Sequence, residues 1–148
     1  MSGVDPELGR LLAAGEADPD PRGAAAVARR EAVLALCAAG RVTTTADRIA
    51  AARLLVHGDQ AAEVEAAQAL ALAAMAGDRR ARRLAATAFD RLRLLAGAPQ
   101  KFGTQFVLRE GRLQLWPVDP ATTDSERAKW DVPPLAELRG GETPPAGP

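Results

Sequence analysis

The sequence predicts a mainly α-helical fold, a small antiparallel bundle of about four helices closed by a C-terminal β-hairpin and a short last helix. Three observations carry this. Alanine supplies 34 of 148 residues, so the apolar content suits close helix approach better than layers of large side chains. Glycine stops recur at helix-length intervals, with Gly-Asp pairs at 58–59 and 77–78. After Pro99 the apolar pattern changes from a helical period to alternation.

Residues 1–22, rich in Gly, Pro and acidic residues, read as a flexible N-terminal tail, although Leu8, Leu11 and Leu12 could form a short docked turn. A single domain is expected over 23–138, with a disordered C-terminal tail over 139–148. The first helix runs from about Gly23 to Ala39 and stops at Gly40. The second starts at Thr44 or Thr45 and ends at His57, with Gly58 as its C′ residue. Asp59 caps a third helix reaching Ala76. Gly77-Asp78 then separates it from a fourth, which ends at Ala96 before Gly97. In that fourth helix Ala81, Leu84, Ala85, Ala88, Leu92 and Leu95 share one stripe. Two short alternating segments flank Glu110-Gly111 and predict a hairpin at about 105–116. Thr123-Asp124-Ser125-Glu126 is a capping-box pattern for the closing helix, ended by Pro133-Pro134.

Nineteen basic and nineteen acidic residues cancel, which argues against a nucleic-acid or membrane-surface partner. Six arginines against two aspartates over 78–93 make one basic helix face without aromatics suited to base stacking. The lone Cys37 excludes an internal disulfide, and the lone His57 excludes any site needing two histidines. Zinc would have to rest on His57 and carboxylates, and magnesium on Asp59, Asp90 and Asp119 has no supporting motif. No metal and no cofactor are therefore expected. The absence of an apolar run of spanning length, and of a basic-then-apolar N-terminus, leads to the expectation of a soluble, cytoplasmic protein.

Three constellations could carry chemistry. His57 is the natural proton carrier, with Asp59 two residues on to orient it. Its simpler reading is a helix-terminal residue favoured by the macrodipole, with Asp59 as an N-cap. Asp90-Arg91 lies on the fourth helix, where Asp90 projects about 180° from the apolar stripe, toward solvent or a second packed surface. The segment Pro99-Gln100-Lys101-Phe102-Gly103-Thr104-Gln105 gathers two amides, a hydroxyl, an aromatic ring and a glycine where the chain leaves the last long helix. It is either a positioning loop or a turn that satisfies its own backbone.

Taken in order, His57-Gly58-Asp59, Asp90-Arg91, Pro99 to Gln105, Pro117-Val118-Asp119 and Thr123 to Ala128 resemble an uncharacterised bacterial domain-of-unknown-function family. That family carries a Gln-His-Ala-Asp-like motif, an Asp-Arg pair and a Pro-Gln-Tyr-Gly-Thr-Gln motif. The resemblance covers about residues 40–138, with Phe102 where tyrosine is common and Val56 where glutamine often stands. It implies one shared constellation of His57, Asp59, Asp90, Arg91, Gln100, Thr104 and Gln105, which Asp119 and Arg127 could join. The central helices also resemble, more weakly, the helical hairpins of Sel1-like and tetratricopeptide repeats.

The expected function is a cofactor-independent polar pocket that binds a small molecule or peptide. Proton-transfer chemistry (hydrolysis, elimination, isomerisation or cyclisation) could follow, with His57 as acid/base, Asp59 or Asp90 as its orienter and Arg91 as anion partner. Gln100, Phe102, Thr104, Gln105, Asp119 and Arg127 would bind the substrate. The alternative is a non-enzymatic interaction module using a helical-hairpin face, and a homodimer is compatible with either.

Overall fold

The computed structural model describes residues 3–144, a mainly helical protein with one small antiparallel hairpin. Its first element is a helix where a loose tail was expected. α1 (Pro6–Ala17) starts at Asp5, whose carboxylate accepts from the N–H groups of Glu7 and Leu8. Leu8 is completely buried, and Leu11 and Leu12 pack on the main core. Polar anchors at Asp5 explain the docking. Its N–H donates to Asp47 at 2.8 Å, and its carboxylate pairs with Arg41, which also holds Glu7. The Asp-Pro stretch that follows is a connection tied down by the Asp18–Arg29 ion pair.

α2 (Ala24–Ala38), α3 (Thr45–Leu55), α4 (Ala61–Ala74) and α5 (Ala81–Leu95) are the four helices read from the sequence. Thr44 and Asp47 close a reciprocal capping box on α3. The N-cap of α4 is Gln60, one residue later than Asp59; Glu63 reaches back to the Gln60 N–H at 3.2 Å. α4 lies between α3 and α5 and packs closely on both. The contact surfaces are alanine: Ala51 and Ala52 of α3, Ala67, Ala71 and Ala74 of α4, and Ala81 and Ala88 of α5 are all fully buried. Small side chains bring helix axes together, and the lost bulk is recovered as dense packing. Gly58 and Gly77 serve the same closeness rather than a left-handed cap. A Cβ on Gly77 would stand 2.5 Å from the Thr45 hydroxyl, and one on Gly58 2.8 Å from Glu63 Cβ.

A second, smaller core covers the opposite side of α5, where Ala86, Phe102, Val132 and Leu138 meet Phe89 and Trp130. Phe102 lies edge-on to Phe89 at 6.0 Å and tilted against Trp130 at 5.7 Å. The hairpin pairs β1 (Phe106–Arg109) with β2 (Arg112–Leu115), Phe106 opposite Leu115 and Arg109 opposite Arg112. Glu110 and Gly111 both have positive φ, as a two-residue type I′ turn requires. α6 (Asp124–Lys129) begins at Thr123 as expected. Pro134 then starts a further helix, α7 (Leu135–Arg139), that the proline pair concealed. Part of the segment expected to be disordered, 139–148, is ordered beside β2. Thr143 N–H donates to the Leu113 carbonyl at 2.8 Å, and Leu115 N–H donates to Glu142. Residues 145–148 lie outside the described part.

Candidate functional site

Asp90 is fully buried and forms the hub of the C-terminal third. Its Oδ1 accepts from the N–H groups of Lys101 and Phe102 at 2.8 and 2.9 Å. Its Oδ2 accepts from Gly103 N–H, Thr104 N–H and the Thr104 hydroxyl at 2.8–3.1 Å. A buried carboxylate is tolerable when its lone pairs are filled, and here five donors fill them. The chain must curl tightly around it. Gly103 accordingly has φ +112°, and any side chain there would also strike Leu138. The Gly-Thr-Gln element is thus built for a closed carboxylate cradle.

Gln100, also fully buried, imitates a neighbouring strand. Its amide donates to the carbonyls of Gln105 and Trp116 and accepts from the Gln105 N–H at 2.9 Å. Its backbone bridges to Pro117 and Asp119. The Gln105 side chain does much less, with one 3.3 Å contact to the Thr104 hydroxyl. Arg127 is buried and donates through Nε to the Phe102 carbonyl at 2.6 Å and through Nη1 to the Thr122 carbonyl and Asp124. Asp119 closes a local turn by accepting from Ala121 N–H. Phe102 fills the second core, where a phenol would have to find a partner. These seven residues come together, and their polar groups face one another and the backbone, except Arg127 Nη2, which is buried without a partner.

His57, Asp59 and Arg91 are placed elsewhere, beyond the other side of α5. Arg91 donates to the Gly58 carbonyl and to Asp59 at 2.9 Å. Asp59 is therefore occupied by Arg91, and no hydrogen bond joins it to His57 among the described residues. His57 follows the last turn of α3 and lines a cavity of about 340 Å³ between α1, α2, α3 and α5. Leu12, Leu54, Val56 and Leu84 form apolar walls, and Arg29, Arg30, Arg53 and the Glu16 carboxylate supply charge of both signs. His57 itself is exposed to solvent at the rim of this cavity. The imidazole is nonetheless held below its usual pKa, first by burial against the wall, then by the charges of Arg91, Arg30 and Arg53. That is opposite to the direction a helix C-terminus imposes, so the arginines and desolvation win over the macrodipole.

Sequence reading missed Arg29, Arg30 and Arg53. Arg30 pairs with Glu63 at 2.7 Å and donates to the Pro21 carbonyl; Arg53 pairs with Glu16 at 2.8 Å. Each guanidinium has five N–H donors and spends only one or two on these partners. A signal for Arg30 existed: Ala26, Arg30, Val33 and Leu36 share one buried face of α2, so an arginine interrupts an apolar stripe. Asp59, Asp90 and Asp119 are each engaged separately, and no group of three or more acidic, histidine or cysteine side chains suited to a metal occurs among the described residues. No helix among them is long and apolar enough to cross a membrane. Comparison with protein-family models, with curated proteins and with solved structures returns no match for this chain.

Proposed function

We propose that the protein binds a small anionic ligand in the cavity at His57. The observation that supports this most is convergence: three arginines from α2 and α3 and the one histidine, just after α3, border a single concave space with apolar walls, with Glu16 of α1 as its one carboxylate. A few convergent polar groups in an apolar cavity are the usual form of a ligand site. After desolvation, the charges of Arg91, Arg30 and Arg53 weigh against protonation of the imidazole. An incoming anion lessens that repulsion and meets guanidinium N–H groups of Arg53 and Arg30 that Glu16 and Glu63 hold in place without using all of them. His57 then acts as a titratable wall whose protonation favours the ligand. No carboxylate orients it, and the Asp90 cradle has no free lone pair to offer. The reading is accordingly one of binding rather than acid–base turnover.

Calorimetric titration at pH 6 with small carboxylates and their neutral amides tests it. The acids are expected to bind and the amides not, with affinity lost in Arg53→Gln. Equal binding of acid and amide, or no loss in that variant, would sink the reading.

A further inference from the structure

The β-hairpin has two backbone edges, and the fold treats them differently. Trp116 N–H donates to the Gln105 carbonyl at 3.0 Å. The hydrogen-bonded pairs of the ladder therefore alternate from there, through Val107 with Gln114, to Arg109 with Arg112. The backbone groups of Leu113 and Leu115 then point away from β1, and those of Phe106 and Leu108 away from β2. On the β2 side the chain supplies its own partners. Leu113 exchanges hydrogen bonds with Thr143, and Leu115 N–H donates to Glu142. On the β1 side no donor or acceptor meets the Phe106 or Leu108 backbone among the described residues, and no helix packs extensively along the strand. An open edge of this kind is a template for one more strand.

The two faces of the hairpin set what that strand must carry, because cross-strand partners share a face. Phe106 with Leu115 and Leu108 with Leu113 make one face apolar. Phe106 reaches Gly141, but Leu108 is 72% exposed and Leu113 39%. The other face sets Arg109 opposite Arg112, with the Arg109 guanidinium 5.8 Å from the centre of the Trp116 ring. Like charges directly opposed across two strands are destabilising, and a carboxylate beside them offsets this. Among the described residues neither arginine forms an ion pair, not even with Glu110 in the turn between them. Arg112 Nε is buried without a hydrogen-bond partner. No hairpin residue lines the His57 cavity, so this surface is independent of the anion site.

We propose that the β1 edge takes up an extended acidic peptide of a partner protein, with apolar and acidic residues in alternation. Its backbone pairs with Phe106 and Leu108, and its apolar side chains cover Leu108. Its carboxylates lie beside Arg109 and offset the repulsion from Arg112. A second copy of this chain fits less well. β1 reads Phe-Val-Leu-Arg, so pairing it with itself adds arginines to that face and no carboxylate.

The test uses the full chain and a short fluorescein-labelled peptide alternating valine with glutamate. Binding is read by anisotropy, and its place by hydrogen-exchange protection gained at the Phe106 and Leu108 amides. Glutamine in place of glutamate is expected to weaken binding about fivefold, the upper range for a charge pair across neighbouring strands. A peptide of the same composition with valines and glutamates in separate blocks should not bind, since alternation is lost. Leu108→Pro removes an outward N–H and leaves the bonds to β2 in place, so it should abolish binding. Arg109→Gln is the second variant should the first not fold, as judged by circular dichroism; with it the glutamate and glutamine peptides should bind equally. No binding, equal binding of both peptides to the wild type, or binding that leaves the Phe106 and Leu108 amides unprotected would overturn the proposal. So would a dimer in sedimentation velocity that Leu108→Pro dissolves, because the edge would then belong to a second copy.

Discussion

Gln100 and Gln105 are five residues apart and chemically identical, yet the fold uses them in opposite ways. The Gln100 amide satisfies three backbone groups in a fully buried position, so Gln100→Leu leaves those groups unpaired. The expected loss, read by chemical denaturation, is on the order of 3 kcal/mol. Gln105→Leu removes one long contact from a half-buried side chain and is expected to be neutral within about 0.5 kcal/mol. The sequence assigns both amides the same substrate-binding role, because a motif lists residue types without saying which amide points inward. At His57 the sign of the pH effect is equally specific. Its folded value lies below the ordinary value of 6.5, so between the two the unfolded chain holds more protons. Stability therefore rises with pH through that window and is complete above it. Thermal melts at pH 5.5 and 8 should show a larger loss at the acid pH for the wild type than for His57→Gln. An equal loss would mean that His57 is not held neutral by its surroundings.

α5 is the element on which the molecule turns, because it carries two buried faces. One, through Ala81, Ala85 and Ala88, closes the main core; the other, through Ala86, Phe89 and Asp90, anchors the loop, hairpin and closing helices. The first face was legible as a stripe of period 3.6. The second was not, since a buried aspartate at its centre reads as solvent until its five donors are seen. Asp90→Asn puts an amide opposite several of those N–H groups and is expected to cost at least about 3 kcal/mol. Hydrogen exchange at Lys101 to Thr104 should accelerate more than exchange in α3 or α4; uniform acceleration would contradict a local anchoring role. α1 is the other instructive element. Its Asp-Pro composition reads as a tail, and only the long-range Asp5–Asp47 and Asp5–Arg41 contacts reveal it as a docked helix. Deleting residues 1–22 exposes the surface around Leu8 and removes a wall of the cavity. Burial of that one leucine is worth about 2–3 kcal/mol, so the melting temperature should fall by roughly 10 °C. An unchanged melt would return the segment to the status of a tail.

Across the whole molecule, the residues that the motif order draws into one constellation divide between two places on either side of α5. Asp90, Gln100, Phe102, Thr104, Gln105, Asp119 and Arg127 knit the C-terminal third together. His57, with Asp59 and Arg91 nearby, borders the cleft under α1. Helix order, hairpin turn and closing cap could be read from glycines, prolines and caps, because these act locally. The cleft could not, because its walls come from four helices, and its arginines are indistinguishable in sequence from those of a solvated face. The most direct test of the anion site is the protonation midpoint of His57, followed by NMR with and without saturating butanoate. The midpoint is expected below 6.5 in the free protein and to move upward by about one pH unit when the anion binds beside the ring. A midpoint that stays in place with butanoate, or that moves equally with butanamide, would contradict the account.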